Sequence, residues 1–240
     1  MIGAILQPTY LPWVGYFEMI AAADIFVVYD HVQFVKKSWH HRNRIKGPNG
    51  EILLTIPAKK APRETALCNT ELALVYEKAL SDHWVSISHA YKKSPYFDNY
   101  SAALQSLYSA KYTSLTDLTV TFIRYFCEQL GITTPFLNSS SFLLDRTLTN
   151  STEKVIELCR KANITALYDA NGAQSIIDTV VFDENHISIS FQNYEHPTYS
   201  QLFGVFLPYM SILDLLLNEG PLSLDVIKKG RCNPIQIANS

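Results

Sequence analysis

"IGAILQPTYLPWVGYFEMIAAADIFVVYD", residues 2–30, decides the fold. Its opening, Ile2 to Leu6, is a short apolar run that Gln7 and Pro8 end, which reads as a buried strand. Trp13 to Ala23 then carries apolar side chains at helical spacing. Asp24 to Asp30 returns to β-branched and aromatic residues, the composition of a second strand. Strand, tight loop, helix, strand is how a parallel α/β sheet begins, because parallel neighbours need a crossover between them.

Working outward, "GPNG" at 47–50 reads as a turn and "EILLTIPA" at 51–58 as a third strand. A mainly helical section follows at about 76–131. Its first helix, 76–93, stops before Ser94-Pro95, since proline disfavours helix in the residue ahead of it. In its last helix Leu115, Leu118, Phe122, Phe126 and Leu130 form one stripe. Ser114 with Asp117 resembles a capping box there, and Gly131 suits the C-terminal stop. Asn150 with Glu153 marks a further capped helix, "ITALYDA" and "HISISFQNY" later strands, and "SILDLLLNEGP" a short amphipathic helix. The expectation is one α/β domain over residues 1–240, with a Rossmann-like, mostly parallel sheet and a helical central section.

Charged residues are 18% of the chain against 48% hydrophobic, so the chain is globular rather than disordered. A net charge of −2 argues against general binding to nucleic acid or anionic membranes. The four cysteines lack any C-x-x-C spacing. With no signal-peptide pattern and no apolar run of membrane-spanning length, this points to a reduced, cytoplasmic protein without membrane insertion.

In open α/β sheets ligands bind beyond the carboxyl ends of the strands. That edge carries "QPTYLPWVGY" after the first strand and the basic "KKSWHHRNRIK", residues 36–46, after the second. The helix start at Trp13 to Gly15 offers free N–H groups to an anion, and Gly15 allows close approach. Lys36, Lys37, Arg42 and Arg44 add phosphate-binding charge. Gln33 and Asn43 suit hydroxyl or amide groups. Tyr10, Trp13 and Tyr16 would stack on a ring or belong to the core. Asp30 or His40 is the candidate base, with a loop cap as the alternative for Asp30. His40 and His41 are adjacent and cannot face one point on a regular strand, and no carboxylate or cysteine spacing follows, so no metal site is expected. His83 and His89 read as structural. Asp214, flanked by leucines, reads as a cap or an internal pair more readily than as a catalytic group.

"QPTYLPWVGYF", "DIFVVYDHVQF", "KSWHHRNRI", "SPYF" and "SILDLLLNEG" together resemble the WbqC-like family, in order along nearly the whole chain. The chain differs from that pattern at His31 and His41. The resemblance implies a role in bacterial O-antigen or surface-polysaccharide assembly, with transfer of an aminoacyl group, glycyl being the candidate, to an amino sugar. Its partners would be a nucleotide-linked or lipid-linked amino sugar and an amino acid donor, aminoacyl-tRNA being the one nucleic acid admitted. ATP would be the candidate cofactor, and a homo-oligomer is left open. A more distant likeness is to nucleotidylyltransferases such as pantothenate synthetase. "PTYLPWVGYF" keeps their Pro-Thr and Gly but has Trp13 and Tyr16 in place of two histidines, while Gln33 and Phe34 match a substrate-holding block. It implies a nucleotidylyltransferase-like sheet, with an acyl-adenylate route or sugar-phosphate nucleotidyl transfer as the reaction. A non-catalytic sugar-nucleotide-binding module is the remaining alternative.

Overall fold

β1 (Ile2–Leu6), α1 (Val14–Ala22) and β2 (Ile25–Val28) form the strand, helix, strand unit read from the opening residues. The structure is a computed structural model that describes residues 1–145 and 147–237. β2 lies parallel to β1, from Gly3 opposite Ile25 to Leu6 opposite Val28. Next in the chain come β3 (Arg42–Gly47), β4 (Gly50–Thr55), α2 (Tyr76–Tyr91), α3 (Phe97–Ser109) and α4 (Leu115–Gln129). Then follow β5 (Phe136–Asn138), α5 (Ser151–Lys161), β6 (Ala166–Asp169), α6 (Thr179–Glu184), β7 (Ser188–Phe191), α7 (Ile212–Glu219) and α8 (Ser223–Lys229).

Five strands build one parallel sheet in the order β5-β2-β1-β6-β7. This is the Rossmann-like architecture expected from the sequence. From β1 the chain first moves outward through β2 to β5, then returns to add β6 and β7 on the other side. The order reverses at β1, so a crevice opens beyond its carboxyl end.

Alternate strand residues face opposite helical layers. Ala4, Phe26 and Val28 join the core formed with α1 to α4, α7 and α8, whereas Ile5, Val27 and Leu167 pack with α5 and α6. Burial on both faces accounts for the unbroken apolar runs of β1 and β2.

The helical section is present as α2 to α4. Leu115, Leu118, Phe122 and Phe126 are fully buried and Leu130 nearly so. Ser114 Oγ accepts from the Asp117 N–H at 3.0 Å. The return contact goes from Asp117 to the Thr113 N–H and hydroxyl, one residue earlier than in a capping box. Gly131 turns the chain with φ +70. Asn150 caps α5 through the Thr152 N–H.

The strand expected in "EILLTIPA" is present as β4, but it lies outside the five-stranded sheet. "EILLTIPA" does not supply a third strand of the parallel sheet: β4 pairs only with β3, antiparallel, around Pro48 and Asn49. A two-residue connection can join strands only in this way. The basic stretch is therefore half loop and half strand. Ile45 and Leu54 fix the hairpin by burying in the same core as α2 and α4. Among the described residues no helix is long and apolar enough to cross a membrane.

Candidate functional site

The loop after β1 is held by the hairpin as well as by its own buried side chains, Tyr10 and Leu11. Asn43, on β3, donates its amide hydrogens to Tyr10 O at 3.1 Å and Leu11 O at 2.6 Å. Its Oδ1 accepts the Arg44 N–H. Tyr10 N–H donates in turn to Trp39 O. Leu11 adopts φ +48, a conformation such anchoring can maintain. Between loop, hairpin and the segment before α7 lies a cavity of about 310 Å³. Thr9, Trp13, Tyr16, Trp39, Arg44 and Tyr209 are on its wall. It opens where the strand order reverses.

The wall combines four aromatic rings with a guanidinium. Such rings offer flat faces to a sugar or a base, and the guanidinium a fork for an anion. Arg42 and Arg44, two apart on β3, share one face of the strand, and their guanidinium carbons lie 5.9 and 5.6 Å from the Trp39 ring centroid. Nη1 of Arg44 is 3.0 Å from both oxygens of Glu51, which holds it in place and offsets part of its charge. Nε of Arg42 is buried without a hydrogen-bond partner. A buried donor left unpaired is unfavourable until an acceptor arrives.

Residues 7–226 match the model of the WbqC-like protein family, a span that contains the whole cavity wall. The chain belongs to the WbqC-like family. It is also 34% identical, over 233 residues, to the uncharacterized protein Rv1507c of Mycobacterium tuberculosis (strain ATCC 25618 / H37Rv), covering 94% of this chain and 96% of that one. No solved structure matches it significantly.

Within this WbqC-like chain Trp13, Tyr16, Asn43 and Arg44 meet at the cavity, with Arg42 beside them across Trp39. Gly15 has a different use from the one expected. A β-carbon there would collide with the Trp13 indole, so the close approach it permits is made by that ring, not by a ligand on the helix start. Tyr10 is fully buried, with its hydroxyl bonded to His83 Nδ1 and the Tyr108 hydroxyl, both at 3.0 Å; it is a core residue. Lys36 and Lys37 are exposed and are not on this cavity's wall. Gln33 lies on a separate depression with Tyr29 and His31.

The two candidate bases are firmly engaged. Asp30 accepts from Ser139 Oγ, Ser140 N–H and Ser140 Oγ at 2.7–2.8 Å. It belongs to a second cavity, between α4 and the ends of β2 and β5. Nε2 of His40 donates to Gln7 Oε1 at 2.6 Å, while Nδ1 takes a long bond, 3.4 Å, from the Val35 N–H. Burial, helped by His41, pushes the His40 pKa down to about 4, so the ring is neutral near pH 7. Asp214 accepts from Tyr91, Tyr199 and Gln201 and ties α7 to its surroundings. The buried thiols Cys127 and Cys159 are pushed up to about 12, which makes them unreactive.

Trp39 stands out in the sequence as an aromatic within a charged run, but other residues here leave no such signal. Tyr209, with φ +60, reaches the cavity from far along the chain and leaves no local pattern. Glu18 is fully buried and accepts from Arg231, Gln192 and Tyr168, fastening α1 to β6 and the segment after β7. Asp169 ends β6 at the ligand edge, and burial pushes its pKa up to about 6.

Proposed function

We propose that this WbqC-like protein binds a nucleotide-linked or lipid-linked amino sugar in the aromatic cavity. It then transfers an aminoacyl group, glycyl first among the candidates, to the sugar amine in surface-polysaccharide assembly. The observation that carries the reading is the pairing of Trp13, Tyr16, Trp39 and Tyr209 with Arg44 at the point where the sheet order reverses. Sugar C–H faces stack on such rings, and a phosphate beside the sugar suits Arg44 together with the unpartnered Nε of Arg42. His40 is the base proposed for the amine proton: it is neutral, Nε2 carries its hydrogen toward Gln7, and the lone pair on Nδ1 takes only a long contact. ATP would activate the amino acid, unless the donor arrives as aminoacyl-tRNA.

A second reading, a sugar-nucleotide-binding module without chemistry, has its own observation in favour. Asp30 and His40 are both held by hydrogen bonds, and neither is on the wall of the aromatic cavity. Incubation with a UDP-linked amino sugar and glycine, with ATP or glycyl-tRNA, followed by mass spectrometry, separates the two. A glycyl amide on the sugar, with glycine-dependent pyrophosphate exchange in the ATP arm, supports transfer. Sugar binding without product from either donor leaves the module.

A further inference from the structure

We infer that the second cavity is a binding site for a small zwitterion, a free α-amino acid. It is an open depression of about 390 Å³ between α4 and the carboxyl ends of β2 and β5. By strand spacing this is roughly 10 Å along the sheet edge from β1. Its wall is polar and its charge is divided, with Asp30 and Asp117 as carboxylates and Arg124 as the cation.

Two buried oxygens on that wall lack partners. Thr116 is 7% exposed, and its hydroxyl has no hydrogen bond. Asn138 Oδ1, at the end of β5, is also buried and unpaired. A protein interior rarely leaves such groups unsatisfied. An amide oxygen can only accept, and beside Asp30 it calls for a donor of positive charge. Arg124 supplies the opposite need. Its guanidinium carbon sits 4.6 Å from the Phe136 ring centroid, and among the described residues it forms no ion pair.

The start of α4 is not what makes the site. Its Leu115 N–H donates to Thr70 O and its Asp117 N–H to Ser114 Oγ. A metal ion is a poorer match than an ammonium, since no three His, Cys, Asp or Glu side chains gather among the described residues. The ammonium is placed at Asn138, Asp30 and Thr116, and the carboxylate at Arg124. This deepens the transferase reading, on which it rests only for the amino acid's use as acyl donor.

The test is calorimetric titration of the full chain with glycine, glycinamide (no carboxylate) and N-acetylglycine (no ammonium). Saturable glycine binding is expected, weakened tenfold or more in either analogue. Arg124→Gln should weaken glycine binding tenfold or more and remove its advantage over glycinamide. Thr116→Val, which keeps the side chain's shape, should also weaken glycine binding without loss of stability. No saturable binding of glycine or serine, or equal binding of N-acetylglycine, overturns the inference. So does unchanged affinity in both variants. Trp39→Ala keeps the two claims apart: glycine binding should survive it when sugar-nucleotide binding is lost, and loss of both would contradict a separate site.

Discussion

The aromatic cavity beyond β1 and the polar cavity beyond β2 and β5 share one sheet edge but are built on opposite terms. In the first, most polar groups are already paired within the protein: Asn43 with Tyr10 and Leu11, Arg44 with Glu51, the Tyr16 hydroxyl with Gln7 O. What remains open is ring surface and the cation pair around Trp39. In the second, the Thr116 hydroxyl and Asn138 Oδ1 lack hydrogen-bond partners, and Arg124 forms no ion pair among the described residues. A ligand would therefore be held by stacking and shape in the first cavity and by charge and hydrogen bonds in the second.

Acid bears most strongly on the surroundings of the first cavity. The aromatic side rests on neutral histidines, His40 against Gln7 and His83 against Tyr10, each with a pKa pushed down by burial from 6.5 to about 4. Unfolding lets both take up protons below about pH 6.5. Stability should fall as the pH drops from there toward 4, by up to roughly 3 kcal/mol per histidine. Asp169 acts in the other sense. Its raised pKa makes its charged form unfavourable in the fold, so its contribution improves as the pH falls through 6. Urea titrations across this pH range check the sign, and His83→Gln should flatten the slope. An unchanged slope would remove His83 from the account.

Asn43→Ala comes next. It leaves the Tyr10 and Leu11 carbonyls without their partner, and a loss of about 2–3 kcal/mol is expected in urea denaturation. A change under about 0.5 kcal/mol would show that the loop does not depend on this residue. Arg44→Ala should weaken UDP-amino-sugar binding by about ten- to a hundredfold, from roughly 1.5–3 kcal/mol per charged hydrogen bond, and leave glycine binding alone. The smallest effect belongs to Thr116→Val, whose stability should stay within about 0.5 kcal/mol of the parent or rise, because an unpaired buried hydroxyl stabilises nothing.

The sheet could be read from the sequence because β1 and β2 are continuous apolar runs around an amphipathic helix, and because Ser114, Gly131 and Asn150 mark helix ends by local chemistry. The placing of β4 was not legible. Its apolar residues look the same whether they join the sheet or a separate hairpin, and only the Pro48-Asn49 turn speaks for the latter. At the site, Arg44 and Trp13 could be located from strand and loop position. Lys36 and Lys37 carry the same charge in the same stretch, yet they sit in the turn before β3, where Lys37 has φ +59 and its N–H donates to His41 Nε2, and both are exposed. Asp30 lies two residues past β2 at the expected edge but lines the other cavity. Strand order decides that, and short-range pattern does not encode strand order.

Calorimetric titration of UDP-glucosamine into the parent chain and into Trp39→Ala addresses the aromatic cavity most directly. Trp39 is 48% exposed, so its removal should leave the fold intact while taking away the ring that both arginines approach. The parent should bind saturably and the variant at least tenfold more weakly. Equal affinity in the two proteins would contradict the assignment of this cavity to the sugar.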